Sequence, residues 1–448
     1  MITFRELNLN NPLLNALDDL GVVNPTSIQE KVFSVIMSGK DVLGIAQTGT
    51  GKTIAYILPC LRQWKFAKHG HPQILIVVPT RELVVQVAEE VRKLGKYMNI
   101  LVGSVFGGAN INTQAIMVGN GLDVLVATPG RLLDLILKGS LNTKYIKHLF
   151  IDEVDEMLTL GFRYQLNSIL ELLPEKRQNL MFSATLTEDV ENILGTYFYN
   201  AAKIEAAPTG TPLENISQVL YQVPNFNTKV NLLELMLRQH EEMNKVLVFT
   251  ASRKLADELY EQMAFGFTDE VAVIHSNKLQ NQRFRTVDSF QNGEMRILIA
   301  TVIIARGLDI SEVSHVFNFD LPDEAETYIH RIGRTGRYDK RGEAISFVLP
   351  KDWSFLAAIE SLMNFKISEL ILPDDLVISE ELTEDEQPKF FMRELSVIAP
   401  TVEASGPAYH EKSEKNKKSN YTVRRKDKLK AKYKKPKTRG QRPTKRPK

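Results

Sequence analysis

The sequence predicts an α/β protein of two tandem domains, each a parallel sheet covered on both faces by helices, followed by a disordered basic tail. Three observations carry this. Short apolar, β-rich runs lie at 41–46, 74–79, 100–106, 123–128, 148–152 and 179–183, and the series resumes at 218–223, 246–250, 271–275, 296–301, 315–320 and 344–349. Between the runs the pattern is helical, as in Glu82-Leu83-Val84-Val85-Gln86-Val87-Ala88, and strands alternating with helices build parallel sheets. The rhythm breaks at Ala206-Ala207-Pro208-Thr209-Gly210-Thr211-Pro212, where proline and glycine mark a linker. Domains are therefore expected over 1–205 and 217–370, joined by 206–216, with 371–410 unassigned between acidic and apolar character.

A chain of 448 residues is long enough for two cores. Its net charge of +2 hides a split: residues 411–448 hold 18 Lys and Arg against 3 Asp and Glu, which leaves 38 basic and 51 acidic residues in the remainder. The tail has almost nothing apolar to bury, so it is expected to be disordered and to face a polyanion. Cys60 is the only cysteine, which excludes an intrachain disulfide and a thiolate zinc site, and the eight histidines show no paired metal-ligand spacing. Met1-Ile2-Thr3-Phe4-Arg5-Glu6 lacks the pattern of a signal peptide, and no run of about twenty apolar residues occurs. A soluble, cytoplasmic protein with no membrane partner is the expectation.

The first chemical element is Ala46-Gln47-Thr48-Gly49-Thr50-Gly51-Lys52-Thr53, set between the apolar run Val42–Ile45 and a helix that opens at Ile54. Turn N–H groups and the positive end of a helix dipole make an anion site. Gly49 and Gly51 permit the turn, Lys52 reaches terminal phosphates, and the Thr53 hydroxyl suits magnesium. Ala46 stands where the phosphate-loop pattern has its first glycine. The second element is His148-Leu149-Phe150-Ile151 running into Asp152-Glu153-Val154-Asp155. A strand that ends in Asp-Glu, downstream of such a loop, completes a nucleotide-hydrolysis site: Asp152 for the hydrated metal, Glu153 for the attacking water.

From Phe4 to about Pro350 these residues resemble the DEAD-box RNA helicases of helicase superfamily 2. The resemblance implies two RecA-like domains that bind ATP and Mg2+ across their cleft. Gly21-Val22-Val23-Asn24-Pro25-Thr26-Ser27-Ile28-Gln29 looks like the Q motif, which implies that Phe4 stacks on adenine and that the Gln29 amide reads its edge. Pro79-Thr80-Arg81-Glu82-Leu83, Gly107-Gly108 and Thr128-Pro129-Gly130-Arg131 resemble RNA-contacting motifs, each just beyond a predicted strand. Ser183-Ala184-Thr185 resembles the motif that links hydrolysis to strand separation, its hydroxyls joining the domains.

In the second domain Tyr328-Ile329-His330-Arg331-Ile332-Gly333-Arg334-Thr335-Gly336-Arg337 resembles the arginine-finger motif. Arg334 and Arg337 would then meet the γ-phosphate, and His330 would couple to the Asp152–Ser183 region. Thr301 to Asp309 resembles motif V, with Thr301 on RNA phosphate and Gly307 and Asp309 at the ribose. Gln280 and Arg283 match an RNA-contacting Q-x-x-R, Val246 to Arg253 fits motif IV, and Asp320-Leu321-Pro322 fits a loop facing the other domain. Two positions depart from the family pattern: Val154 replaces an alanine and Val302 a polar residue. The resemblance implies RNA-stimulated ATP hydrolysis, local unwinding of short duplexes, and single-stranded RNA, short duplexes and ribonucleoprotein or ribosome-assembly particles as partners. A DNA helicase or translocase and a non-unwinding ATP-gated RNA clamp are the competing readings.

Overall fold

The computed structural model describes residues 2–46, 51–205, 215–301, 310, 313–336, 341–384 and 386–387. The candidate residues Gln47, Thr48, Gly49, Thr50, Val302, Gly307, Asp309 and Arg337, the linker over 206–214 and everything from 388 onward lie outside them, as does the side chain of Gln280.

The first sheet contains β1 (Val42–Ile45), β2 (Ile74–Val77), β3 (Val102–Val105), β4 (Val124–Ala127), β5 (His148–Ile151), β6 (Gln178–Ser183) and β7 (Ala202–Glu205). The second contains β8 (Ile216–Gln222), β9 (Val246–Thr250), β10 (Val271–Ile274), β11 (Ile297–Thr301), β12 (His315–Asn318), β13 (Gly342–Val348) and β14 (Ser368–Leu370). Their orders are β3-β4-β2-β5-β6-β1-β7 and β10-β11-β9-β12-β13-β8-β14, with parallel pairing throughout. Position for position, the second order repeats the first.

Burial on both faces explains the unbroken apolar runs. Along β2 and its extension, Ile74, Ile76 and Val78 enter one hydrophobic cluster, while Leu75 and Val77 enter the cluster on the opposite face. Helices on both sides of each sheet supply the rest of those cores. All twelve predicted runs are strands. The two strands that the sequence did not reveal, β7 and β14, are sheet edges. β7 reads Ala-Lys-Ile-Glu and β14 is three exposed residues, so neither carries the hydrophobic signal of an interior strand.

The order β5-β6-β1 decides where chemistry can occur. Ile151 pairs with Met181, and Ile45 with Ser183, so the residues after β5 and β1 emerge on either side of the end of β6. Asp152, Ser183 and Lys52 are brought together although more than a hundred residues separate the first from the last in sequence order.

The segment left unassigned after 370 is described over 371–384 and 386–387. It runs along the helix Phe226–Gln239, where side-chain amides of Asn225, Asn227 and Asn231 donate to the carbonyls of Ser379, Glu381 and Val377 at 2.5, 2.9 and 2.7 Å. The Gln239 amide donates to Asp375, and the Phe226 N–H donates to Glu386. Leu372 and Leu376 pack on the core beneath. Residues 371–387 therefore complete the second lobe as a strap.

Candidate functional site

The phosphate-loop helix Lys52–Gln63 opens at Gly51, whose φ of 82° lies in the left-handed region. Gly51 cannot carry a side chain there, because a Cβ would strike the Gln29 amide. That amide is a bracket: its oxygen accepts from the Thr26 N–H at 2.8 Å and its nitrogen donates to the Gly51 carbonyl at 3.0 Å. Ala46 is buried, and its N–H donates to the Ser183 carbonyl. Phe4, the ring expected at adenine, lies in the first lobe. It is 2% exposed and packs in that lobe's core.

Lys52 is buried, and its Nζ has no hydrogen-bond partner. A desolvated ammonium without a partner is costly unless a ligand completes the site. Asp152 accepts from the Tyr56 hydroxyl at 3.0 Å and from the Glu153 N–H at 2.9 Å. Thr53 hydrogen-bonds Tyr56, which links the two residues expected at the metal. Burial pushes the Asp152 carboxyl up, opposed by Lys52, and pushes Glu153 up, opposed by Lys52 and Arg334. Glu153 also adopts a positive φ of 54°, a conformation that non-glycine residues seldom hold. Val154, the departure from the family's alanine, is fully buried in the first-lobe core with Met157 and Ile151.

Sequence reasoning gave Asp155 no role; the structure makes it the hub of the inter-lobe wall. Its carboxylate accepts from the Ala184 N–H, the Thr185 N–H and the Thr185 hydroxyl at 3.1, 2.9 and 2.9 Å. Burial alone would raise its pKa, but His330 of the second lobe, Lys52 and Thr185 outweigh that and hold it below the usual carboxylate range. The expectation that the hydroxyls of Ser183 and Thr185 bridge the lobes is corrected. Ser183 donates to the Thr185 carbonyl at 2.6 Å and Thr185 donates to Asp155, so both are satisfied inside the first lobe. His330 ends the helix Ala325–Ile332, and Arg334 lies just beyond it. Lys52, Glu153, Asp155, Glu156, Ala184, His330 and Arg334 line one small cavity with walls from both lobes.

A second, larger cleft of about 1160 Å3 runs between the lobes. Pro79, Thr80, Arg81, Gly107, Gly108, Thr128, Gly130 and Arg131 line it from the first lobe, and Ser276, Asn277, Lys278 and Arg283 from the second. The helices Arg81–Leu94, Pro129–Leu137 and Gln280–Gln291 begin at it, which aims N-terminal N–H groups into the cleft. Thr80 caps the first of them through the Leu83 N–H. Arg81 lies against Gly108, whose positive φ and lack of Cβ let the guanidinium settle there.

Arg131 donates to Gln114 and to the Ala109 carbonyl at 2.6 and 3.0 Å, so it holds the glycine turn in place. Arg283 forms an ion pair with Glu82 across the cleft, both side chains being largely buried. Arg253 fixes the other wall by donating to Asn277 at 2.6 Å. Pro129 and Thr301 are buried behind the cleft surface. The Asp320 carboxylate is engaged within its own lobe, by Lys229 and by the Ala251 N–H.

Residues 26–193 match the DEAD/DEAH box helicase family and residues 228–339 the helicase conserved C-terminal domain. The chain belongs to the DEAD/DEAH box helicase family. It is 36% identical over 396 residues to the ATP-dependent RNA helicase DbpA of Bacillus subtilis, an alignment that covers 88% of this chain and 80% of that protein. Among solved structures, a Saccharomyces cerevisiae Dbp5 variant bound to RNA and ADP BeF3 superposes with a TM-score of 0.75 at 30% identity, covering 82% of this chain and 95% of that one. The same variant bound to Nup159, Gle1, IP6 and ADP gives 0.60 at 29% identity, covering 82% and 96%. No described helix is long and apolar enough to cross a membrane.

Proposed function

We propose that the chain is an ATP-dependent RNA helicase that hydrolyses ATP in the inter-lobe cavity and grips one RNA strand by its backbone in the larger cleft. The observation that carries this reading is the buried, unpartnered Lys52 ammonium, facing a cavity whose far wall is His330 and Arg334. An ammonium held out of water without a hydrogen-bond acceptor, although carboxylates lie near it, suits a polyphosphate that brings acceptors of its own. Lys52 would neutralise the terminal phosphates, with Arg334 meeting them from the second lobe as charge develops in phosphoryl transfer. Glu153 would accept the proton of the attacking water. The second N–H of the Gln29 amide remains for an adenine edge.

Mg2+ fits the donors present. Among the described residues there is no cluster of three or more His, Cys, Asp or Glu side chains that would hold a metal by itself. One carboxylate, Asp152, with the Thr53 hydroxyl near it, matches an ion that keeps water and phosphate as its other ligands. When bound it would neutralise phosphate charge.

In the cleft, helix N-termini, Arg81 and bare glycine backbone favour a sugar–phosphate chain over base edges. Closing the lobes brings Arg334 to Lys52 and builds the cleft in one movement. RNA must then tighten ATP by the factor by which ATP tightens RNA. The basic tail would tether RNA near the core, and the cytoplasm is the proposed compartment. The test is ATP hydrolysis and short-duplex unwinding with RNA and DNA oligonucleotides of one sequence. RNA alone should stimulate both; equal turnover with and without RNA overturns the reading. Glu153→Gln should abolish turnover and keep ATP-dependent RNA binding.

A further inference from the structure

At the opposite end of the same strands lies a feature that the cleft and the nucleotide site do not use. The loop before β2 and the loop before β5 bring His69, His71 and Tyr145 into a stack: His69 is 4.2 Å and His71 4.9 Å from the Tyr145 ring centroid, with interplanar angles of 26° and 23°. The two imidazoles are only 5.8 Å apart. Had they sandwiched the phenol ring, their separation would approach the sum of the other two distances. They therefore lie side by side on one face of Tyr145. The ring remains 39% exposed, and its second face is the one left to solvent.

The surroundings are cationic. Lys65, Lys68, Lys144 and Lys147 are all exposed, and neither 64–73 nor 138–148 contains an aspartate or glutamate. That is unusual in a body whose first 410 residues are net acidic. The platform is also held together. The Lys147 ammonium donates to the Gln73 side chain at 2.7 Å, the Gln73 amide donates to the Lys65 carbonyl at 2.9 Å, and the His71 N–H donates to His69 Nδ1 at 3.0 Å. An aromatic face set in a cluster of lysines without counter-charges is the pattern that holds single-stranded nucleic acid, base on ring and phosphate on ammonium.

We propose that this platform is a second contact for single-stranded RNA, in which one base stacks on the open face of Tyr145 and flanking phosphates meet Lys65, Lys68 and Lys144. From Lys147 to Asp152 the chain rises by five residues in β5, about 17 Å, so the platform sits beyond the reach of an oligonucleotide that only fills the cleft. It would engage the overhang of a longer strand. The inference rests on the RNA-helicase reading, and the test separates the two.

RNA-stimulated ATP hydrolysis is measured with a short oligonucleotide that fills the cleft and with one carrying a long single-stranded extension, for the full chain and for Tyr145→Ala, Tyr145→Phe and Lys68→Glu/Lys144→Glu. Stimulation of the parent protein by the short oligonucleotide checks the helicase reading alone. The platform predicts that Tyr145→Ala and the charge reversal raise the KM for the extended RNA about tenfold, in the range of one stacked base. The KM for the short RNA should stay unchanged, and Tyr145→Phe should behave as the parent. Unchanged KM for the extended RNA, or an equal rise for both RNAs, overturns it. So does a Tyr145→Ala protein that melts earlier yet binds both RNAs normally, because the stack is then only a loop staple.

Discussion

Asp155 offers the sharpest test of how the lobes communicate. Replacing it by alanine strands two buried backbone N–H groups, those of Ala184 and Thr185, together with the Thr185 hydroxyl. Each buried donor left without an acceptor costs about 1–3 kcal/mol, so Asp155→Ala should destabilise the first lobe by roughly 2–5 kcal/mol. Asp155→Asn is more informative, since its amide oxygen still accepts from that motif while the charge facing His330 is gone; the one acceptor it gives up is the oxygen that receives the Glu156 N–H. Its stability should lie within about 1–2 kcal/mol of the parent, whereas RNA-stimulated kcat should fall about tenfold or more, with the KM for ATP little changed. Thermal melts paired with RNA-stimulated turnover check both halves. A double-mutant cycle with His330→Ala should be strongly non-additive, because the two groups act as one contact. Wild-type stimulated turnover in Asp155→Asn, or additive effects in the cycle, would refute the argument that this carboxylate transmits closure.

Other outcomes follow from the same geometry. Burial raises the pKa of Glu153 above its ordinary 4.5; a base must be ionised, so the acid limb of kcat against pH should lie above that value, and stability should decline as pH rises from the ordinary glutamate range through the raised pKa. Asp155 has the opposite sign. Its contribution to stability is present above the unfolded pKa and is lost only as pH falls through its depressed folded value, which a melt series carried from pH 6 down into the range below the ordinary aspartate pKa would show. Gly108→Ala places a Cβ against the Arg81 guanidinium at a positive φ, and should raise the KM for RNA several-fold at a stability cost of about 1 kcal/mol. Gln29→Ala removes the bracket between Thr26 and Gly51 and should raise the KM for ATP while leaving RNA affinity without nucleotide unchanged.

Much of this was legible in the sequence because interior parallel strands announce themselves. Runs such as Ile74–Val77 and Val124–Ala127 are buried on both faces, and the motifs at their carboxyl ends then converge by topology. What stayed hidden depends on contacts that have no period. The strap over 371–387 is held by asparagine side chains that read backbone carbonyls, a device without a hydrophobic pattern. The spacing of Phe4 from the Q motif carries no information on its burial in the first lobe's core. Arg131 looked like a ligand contact, and only the coordinates place its guanidinium on Gln114 and Ala109. Asp155 is only the last letter of its motif in the sequence, and its role emerges when β6 delivers the Ala184 and Thr185 N–H groups beside it.

The repetition of strand order in the two sheets means that each half of the molecule was dealt the same corner for a nucleotide, and the halves have played it differently. Behind its first strand the second lobe also carries a lysine, Lys229, and beyond its fifth an aspartate, Asp320. There the ammonium has found its counter-ion at home: Lys229 Nζ lies 2.9 Å from Asp320 and donates to the Phe319 carbonyl at 2.6 Å, with the side chain 1% exposed. Lys229→Ala should therefore unfold the lobe at a cost of about 3–5 kcal/mol. Lys52→Ala removes no hydrogen bond but takes away the positive charge that offsets the buried carboxylates of Asp152, Glu153 and Asp155, whose pKa values should rise. Self-neutralisation has turned one corner into masonry. Its twin, Lys52, instead lines a cavity whose walls come from both lobes, so its charge is shared across the interface.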